Sequence, residues 1–160
     1  MGETKHVLSI VCDDHSGVLL RIISLFSRRG YSIESISAGS TESPDIYRIT
    51  IVTTGTKDAI IQISNQLQKV HEVREVNVLR QNDAVLREHV LICAGTNEET
   101  CASLIQVANL FHAKIVSVNQ QSLVLELTGE PRKIDAFIQL MKPYGIKRMM
   151  RSGLSALERD

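Results

Sequence analysis

The chain has 160 residues, of which 43% are hydrophobic and 22% are charged, so it can form one ordinary domain or two small ones with buried cores. Lys plus Arg balances Asp plus Glu at 18 each, which excludes a broad electrostatic attraction to nucleic acid or anionic lipid. With no Trp, three Tyr and three Phe, the chain also lacks the aromatic residues for large base-stacking surfaces.

The first half of the chain predicts six elements in the order β-α-β-β-α-β. Strands are predicted where β-branched residues are dense, and helices where apolar residues recur every three or four positions. Gly30 stands where the C-terminal cap of a helix is expected, and a change of apolar parity near Glu34 and Ser35 indicates a bulge. The predicted elements are strands at 6–11, 31–38, 46–53 and 72–79, and helices at 18–29 and 57–70.

The second half predicts the same order after a polar linker at 81–87. A capping box at 96–99 predicts a helix that runs to His112, and Pro131 fits the first turn of a last helix. The apolar face of that last helix is Ile134, Phe137, Ile138 and Met141. Strands are predicted at 88–94, 114–119, 122–128 and 145–151. The expected fold class is α+β, with two ferredoxin-like βαββαβ domains of about 75–80 residues, each with one sheet face that needs a cover.

The residues that can carry chemistry do not converge on a catalytic site. Residues 12–15, Cys-Asp-Asp-His, offer a thiol, two carboxylates and an imidazole, but consecutive residues do not readily meet on one metal ion. Cys93 and Cys101 are predicted to be small core residues. There is no Walker-type or GxGxxG loop, and no signature for thiamine, flavin or nicotinamide. We therefore predict no catalytic residue, no metal site and no cofactor in this chain.

The cysteine content and the first residues bear on the compartment. The three cysteines are an odd number without a CxxC pair, which favours free thiols in a reducing environment. The polar residues 1–6 do not resemble a signal peptide, and no apolar run has the length of a membrane span. We predict a cytoplasmic protein without a membrane or nucleic-acid partner.

One turn predicts a ligand site. Residues 14–17 precede a helix, where free backbone N–H groups and the positive end of the helix dipole attract an anion. Gly17 lets the backbone approach a ligand closely, and Asp14 offers a carboxylate to an ammonium group. Both features together suit the zwitterion of a free amino acid; the alternative is that the turn is simply a favourable helix start. An apolar wall for the ligand side chain is expected from Val18, Leu19 and Ile33.

From this turn onwards the sequence resembles a known family. The pattern Asp14-x-Ser16-Gly17-Val18-Leu19-x-Arg21 resembles the ACT domain, a small amino-acid-binding regulatory module. Longer segments resemble the small, regulatory subunits of acetolactate synthase (acetohydroxyacid synthase). In the first half these are LFSRRGYSIESI at 25–36, TESPDIYRITIV at 41–52 and QISNQLQKV at 62–70. The second half resembles the family at 127–129, 133–138 and 151–153.

The resemblance implies a domain plan and a shared binding site. It implies an ACT domain at 1–80 for effector binding and dimerisation, a linker at 81–87, and the C-terminal ferredoxin-like domain of these subunits at 88–160. In the implied homodimer, the turn of one protomer and the second strand of its neighbour hold the effector. The effector-binding residues carried over in this way are Asp14, His15, Ser16, Gly17, Val18, Leu19, Ser32 and Ile33. At Asp14 and Ser32 family members often have Asn, so effector choice is open at these two positions.

The function that the resemblance implies is regulation of acetolactate synthase in valine, leucine and isoleucine biosynthesis. The chain would activate a separate large catalytic subunit, which uses thiamine diphosphate, magnesium and FAD. It would also confer feedback inhibition by a branched-chain amino acid, typically valine. The alternatives are a free-standing amino-acid-sensing ACT regulator without a catalytic partner and a small enzyme on the same fold. The lack of a basic face and of a helix-turn-helix argues against a regulator that binds DNA. The lack of a titratable cluster argues against an enzyme.

Overall fold

The computed structural model describes residues 4–80 and 82–159. Within them the elements follow the order β-α-β-β-α-β twice, which confirms the predicted fold class. The first repeat comprises β1 (Thr4–Asp13), α1 (Val18–Arg28), β2 (Ser32–Ser40), β3 (Ile46–Gly55), α2 (Lys57–Leu67) and β4 (Val73–Leu79). The second comprises β5 (Ala84–Gly95), α3 (Glu98–Phe111), β6 (Lys114–Asn119), β7 (Ser122–Gly129), α4 (Pro131–Met141), a 3₁₀ helix (Lys142–Tyr144) and β8 (Ile146–Glu158).

Each repeat forms a four-stranded sheet. The strand order is β2-β3-β1-β4 in the first sheet and β6-β7-β5-β8 in the second. In the first sheet β1 pairs antiparallel with β3 and β4, and β2 pairs antiparallel with β3. In the second sheet β7 pairs antiparallel with β5 and β6. Among the described residues, the outer strand β2 of the first sheet therefore has one backbone edge without a strand neighbour.

Aliphatic side chains fill the space between the first sheet and its two helices. Leu8, Ile10 and Cys12 of β1 face this core because side chains along a strand alternate between its two faces. The helices add buried residues at helical spacing, because one stripe of each helix faces the sheet. These residues are Val18, Ile22, Phe26, Ile60, Ile63 and Leu67.

The second repeat buries an equivalent core. Val90, Ile92 and Ala94 of β5 are buried in it. The predicted apolar face of α4 is confirmed, because Ile134, Phe137, Ile138 and Met141 all belong to this core. A capping box does open α3, but at residues 97–100, one residue later than predicted: Asn97 accepts the N–H groups of Glu99 and Thr100, and the Thr100 hydroxyl accepts the Asn97 N–H.

The largest differences from the predicted element boundaries lie in β5 and β8. β5 begins at Ala84, so residues 84–87 of the predicted linker belong to a strand, while Gln81 lies outside the described residues. β8 ends at Glu158, seven residues beyond the predicted end at Arg151. Polar composition favoured a linker in the first case, but backbone pairing satisfies the strand's N–H and C=O groups whatever its side chains are.

The chain divides into two compact units that do not coincide with the two halves of the sequence. Residues 4–85 and 154–159 form the first unit, and residues 86–153 form the second. Within the first unit, the N–H of Arg159 donates to the carbonyl oxygen of Asp83 at 2.9 Å. Leu154 and Ala156 are each 6% exposed, which is the alternation of a strand with one buried face.

The predicted bulge in β2 is confirmed. The register between β2 and β3 shifts between Ile33 and Ser35, so Glu34 is the extra residue. Glu34 pairs with Lys5 at 2.6 Å and accepts a hydrogen bond from the Thr54 hydroxyl. These bonds, first that from Lys5, hold the pKa of the Glu34 carboxyl below its ordinary value.

The predicted cap at the end of α1 is also confirmed. Gly30 has φ +69°, and its N–H donates to the carbonyl oxygen of Ser27 at 3.1 Å. The N–H of Tyr31 donates to the carbonyl oxygen of Phe26 at 3.0 Å. This pair of bonds is the Schellman motif, which ends a helix at a left-handed residue. It directs the chain from α1 into β2.

We expect Gly30→Ala to lower the free energy of unfolding by about 1 kcal/mol, because a side chain disfavours the left-handed conformation. The penalty is conformational, since a Cβ at Gly30 meets no atom within 4 Å. Urea denaturation measures it. The control is Gly39→Ala, where a Cβ also meets no atom within 4 Å and φ is not positive. Equal losses in the two variants would contradict this explanation.

Candidate functional site

The predicted ligand site is the β1–α1 turn, residues 14–17. Two backbone hydrogen bonds fix it: the N–H of Asp14 donates to Asp45 O at 2.8 Å, and the N–H of Val18 donates to His15 O at 3.1 Å. Gly17 is the N-cap residue of α1, and no side chain caps this helix start. The N–H groups of Leu19 and Leu20 lie in the first turn of α1, at the positive end of the helix, and the backbone bonds of the β1–α1 turn do not use them. An anion can therefore bind to this end of α1.

Gly17 gives the turn its shape and its open space. Its φ of +89° and ψ of −4° lie in the left-handed region, where glycine is favoured over residues with a Cβ. A Cβ built on Gly17 would meet no atom within 4 Å. The turn thus places an accessible stretch of backbone beside the start of α1, as a ligand that approaches the backbone requires.

The side chains around Gly17 differ in their exposure. Asp14, His15 and Ser16 are exposed, and the ring Nδ1 of His15 donates to Ser16 O at 3.0 Å. Leu19 is 39% exposed and can contact a ligand. Val18 is 7% exposed and packs in the core of the first repeat, so it anchors the start of α1 to that core. Of the predicted apolar wall in this segment, Leu19 is the side chain that solvent reaches.

Within one protomer, the predicted residues of β2 lie far from the turn. Ser32 pairs with Thr54, and Thr54 pairs with Lys5 on β1. Lys5 precedes Asp13, the end of β1, by eight residues, which is about 27 Å along a strand. The structure therefore brings residues 14–19 together and leaves Ser32 and Ile33 at the opposite end of the sheet. A site that contains both groups requires a second copy of the chain.

The turn is flanked by two ion pairs, which the sequence analysis did not predict. Nε of Arg74 donates to Oδ1 of Asp13 at 2.6 Å, and Nη1 of Arg21 donates to Oε1 of Glu72 at 2.5 Å. The Glu72 side chain is only 9% exposed, whereas that of Arg21 is 54% exposed. Arg21 was already part of the pattern that resembles the ACT domain, but nothing in the sequence connected it with Glu72, 51 residues further along the chain.

Cys12 lies beneath the turn and does not join its neighbours in a site. Its thiol is fully buried and faces the core, while Asp13 lies on the opposite face of β1. Burial raises the pKa of the Cys12 thiol, and the carboxylates of Asp13, Asp14 and Glu72 raise it further. Among the residues that the structure describes, no group of three or more His, Cys, Asp or Glu is arranged to hold a metal ion.

We expect iodoacetamide to alkylate Cys101 well before Cys12 in the native protein. Cys12 is 0% exposed and its raised pKa keeps the thiolate scarce, whereas Cys101 is partly exposed. Mass spectrometry of timed samples measures the order. In denaturant the three cysteines should react at similar rates, which is the control. Early labelling of Cys12 in the native state would contradict its placement.

The described helices include none that is both long and apolar enough to cross a membrane. The family model for the AHAS small subunit-like ACT domain matches residues 8–75, and that for the small subunit of acetolactate synthase matches residues 87–160. The crystal structure of the acetolactate synthase small subunit of Thermotoga maritima has a TM-score of 0.90 and 31% identity, over 98% of both chains.

Sequence relatives agree with these matches. The acetolactate synthase small subunit of Mycolicibacterium smegmatis is 39% identical over 158 residues, which are 99% of this chain and 93% of that protein. The probable acetolactate synthase small subunit of Archaeoglobus fulgidus is 38% identical over 155 residues, 97% of each chain. The first repeat, with its glycine turn before α1, is therefore an ACT domain. The chain as a whole belongs to the family of acetolactate synthase small subunits, as the sequence predicted.

Proposed function

We propose that this chain is the regulatory subunit of acetolactate synthase in the biosynthesis of valine, leucine and isoleucine. It contributes no catalytic residue. It binds a large catalytic subunit in the cytoplasm, raises its activity and makes it sensitive to a branched-chain amino acid. Thiamine diphosphate, magnesium and FAD belong to that catalytic partner. Family membership supports the identity of the partner, and the open helix start at Gly17 supports the binding of an effector.

The effector that fits the β1–α1 turn is the zwitterion of a branched-chain amino acid, and valine is our first choice. Its carboxylate would accept hydrogen bonds from the N–H groups of Leu19 and Leu20, at the positive end of α1. Its ammonium group would pair with Asp14, which is exposed at the start of the turn. Its aliphatic side chain would contact Leu19. The observation that carries this assignment is the uncapped, glycine-shaped start of α1.

The second half of the site comes from a neighbouring protomer. β2 is an outer strand of its sheet, so a second copy of the chain can approach its free backbone edge. We propose a homodimer of side-by-side ACT domains, in which Ser32 and Ile33 of one protomer meet the turn of the other. An effector bound at such an interface regulates the complex if its affinity differs between two arrangements of the subunits. In this scheme residues 1–80 bind the effector and dimerise, and residues 88–160 form the C-terminal domain.

Calorimetric titration of the chain with valine, isoleucine and leucine tests the proposal. We expect saturable binding of at least one of them, with one effector per protomer. Two analogues serve as matched controls: valinamide lacks the carboxylate, and N-acetylvaline lacks the ammonium group. Neither should bind, because each removes one of the two charges that the turn recognises. Absence of binding by all three amino acids, or equal binding of the analogues, would overturn the proposed site.

A further inference from the structure

One residue outside the turn contacts residues on both sides of it. The carbonyl oxygen of Glu72 accepts the N–H of Asp13 at 2.8 Å, and Oε1 of its side chain accepts Nη1 of Arg21 at 2.5 Å. Asp13 is the residue just before the turn, and the N–H of Arg21 donates to Gly17 O at 3.0 Å. We propose that the pair of Glu72 and Arg21 is a clamp that positions the β1–α1 turn and thereby sets the affinity for the effector. This inference rests on the proposed function, because it concerns the same site.

The burial of Glu72 explains why the clamp is rigid. Its side chain is 9% exposed, and a buried carboxylate is unfavourable unless a positive group or hydrogen-bond donors compensate it. Among the described residues, Oε2 of Glu72 has no hydrogen-bond partner, so Arg21 is the charged donor on which this carboxylate depends. Arg21 is half exposed and would otherwise be mobile. The need to compensate Glu72 fixes the guanidinium, and with it the first turn of α1.

The clamp takes the place of a helix cap. α2 begins with the Thr56 side chain accepting the N–H of Ala59, and α3 begins with the capping box at Asn97. The start of α1 has no side-chain cap. A capping side chain would occupy the N–H groups that a ligand carboxylate needs. Holding α1 through Arg21 instead fixes the helix start and leaves those N–H groups free.

The clamp also balances charge at the site. Three carboxylates lie at or beside the turn: Asp13 directly precedes it, Asp14 is its first residue, and Glu72 binds the N–H of Asp13 and the side chain of Arg21. Arg74 pairs with Asp13, and Arg21 pairs with Glu72. If Arg21 is lost, the Glu72 carboxylate has no positive partner and repels an effector carboxylate at the helix start. Arg21 and Glu72 are therefore positioning residues that act through the turn.

The test measures effector affinity in variants of the full chain. Arg21→Met should raise the Kd for valine by about tenfold or more, since the turn would no longer be held in its binding geometry. Arg21→Lys keeps the positive charge and should rescue affinity to within about threefold of the wild type. Two controls should also stay within about threefold. Arg74→Met removes the neighbouring pair, but the Asp13 carboxylate is 42% exposed, so water still screens its charge, unlike that of the buried Glu72. Ile63→Val weakens the core away from the turn.

Folding of every variant is checked by circular dichroism and thermal unfolding. If Arg21→Met does not fold, Arg21→Gln replaces it, because the Gln amide can still donate a hydrogen bond to Glu72 but carries no charge; its Kd should rise at least about threefold. Wild-type affinity in Arg21→Met, or in Arg21→Gln where Arg21→Met does not fold, overturns the clamp. So does an equal loss of affinity in Ile63→Val, because a purely structural effect on the core would then explain the result.

A second readout separates the clamp from the proposed function. Amide hydrogen exchange at residues 15–19 should be faster in Arg21→Met than in the wild type and unchanged in Arg74→Met, without any ligand. If the wild type binds no branched-chain amino acid, the proposed function fails while the exchange result still judges the clamp. If the wild type binds valine and exchange is the same in all variants, the clamp is overturned and the proposed function stands.

Discussion

Gly17→Asp is expected to abolish inhibition by valine while leaving activation of the catalytic subunit largely intact. The new carboxylate would project into the open space beside Gly17, where a Cβ meets no atom within 4 Å. It would take the place of the effector carboxylate at the start of α1 and repel it. The affinity for valine should fall by about 100-fold or more, because a favourable helix-end charge is replaced by a like charge. The assay is acetolactate formation by the reconstituted complex over a range of valine concentrations.

The effect of charge must be separated from that of backbone strain. Gly17 has φ +89°, where an added side chain is disfavoured by about 1–2 kcal/mol. Gly145→Asp is the matched control, because Gly145 has φ +72°, lies in the second unit and also leaves no atom within 4 Å of a Cβ. We expect it to keep full inhibition by valine. Gly17→Asn has nearly the size of Asp without its charge and should retain part of the inhibition. If Gly17→Asp remains fully inhibited, the effector does not bind at this turn.

Arg151→Ala is expected to cause a large loss of stability. Arg151 binds the Glu88 carboxylate through two hydrogen bonds of 2.5 Å and also contacts Asp135 at 3.0 Å. The Glu88 side chain is 8% exposed, so removal of Arg151 leaves a buried charge without a partner. Hydrogen bonding to Glu88 raises the pKa of the Arg151 guanidinium, so Arg151 stays charged. We expect the free energy of unfolding to fall by about 3 kcal/mol in denaturant titration.

Three variants test this explanation. Arg87→Ala removes an exposed pair with Glu130, in which the charged atoms are 3.7 Å apart, and should change stability by less than about 1 kcal/mol. Arg151→Lys keeps the charge but loses the second hydrogen bond, so an intermediate loss is expected. The double variant Glu88→Leu with Arg151→Met should recover much of the loss, because no buried charge remains. A loss in Arg151→Ala no greater than that in Arg87→Ala would contradict the argument.

Local sequence patterns predicted most of the fold. The apolar spacing of α1 and α4, the β-branched strands and the capping residues are all determined by residues close in sequence. Gly30 could be assigned to a helix end because a helix that ends in a Schellman motif needs a left-handed residue, which is usually glycine. The bulge at Glu34 was visible because the apolar positions of β2 change parity there.

The remaining features depend on contacts between distant residues. Residues 152–158 extend β8 because Leu154 and Ala156 find buried positions in the first unit, which composition alone does not show. Glu72 lies where the sequence predicts the first residue of a strand, and its polar side chain gives no further signal. It gains its role from Arg21, 51 residues away. The distance between the turn and Ser32 follows from strand register, which the sequence pattern does not supply.

If the chain binds an effector as proposed, we expect its choice of effector to differ from that of its relatives at Asp14 and Ser32. Asp14 is exposed at the turn and Ser32 is exposed at the start of β2. A carboxylate at position 14 adds a charge for the ammonium group, but it also adds repulsion for the effector carboxylate. Preference among valine, leucine and isoleucine is therefore expected to depend on how the neighbouring protomer places Ser32 and Ile33.

The most direct test of the central claim is acetolactate formation by the catalytic subunit alone, with this chain, and with this chain plus valine. We expect no activity from the chain by itself, a higher rate when the two subunits are combined, and a return to a low rate when valine is added. Valine should have little effect on the catalytic subunit alone. A rate that does not change on adding this chain, or equal inhibition by valine with and without it, would contradict the assignment of this chain as the regulatory subunit.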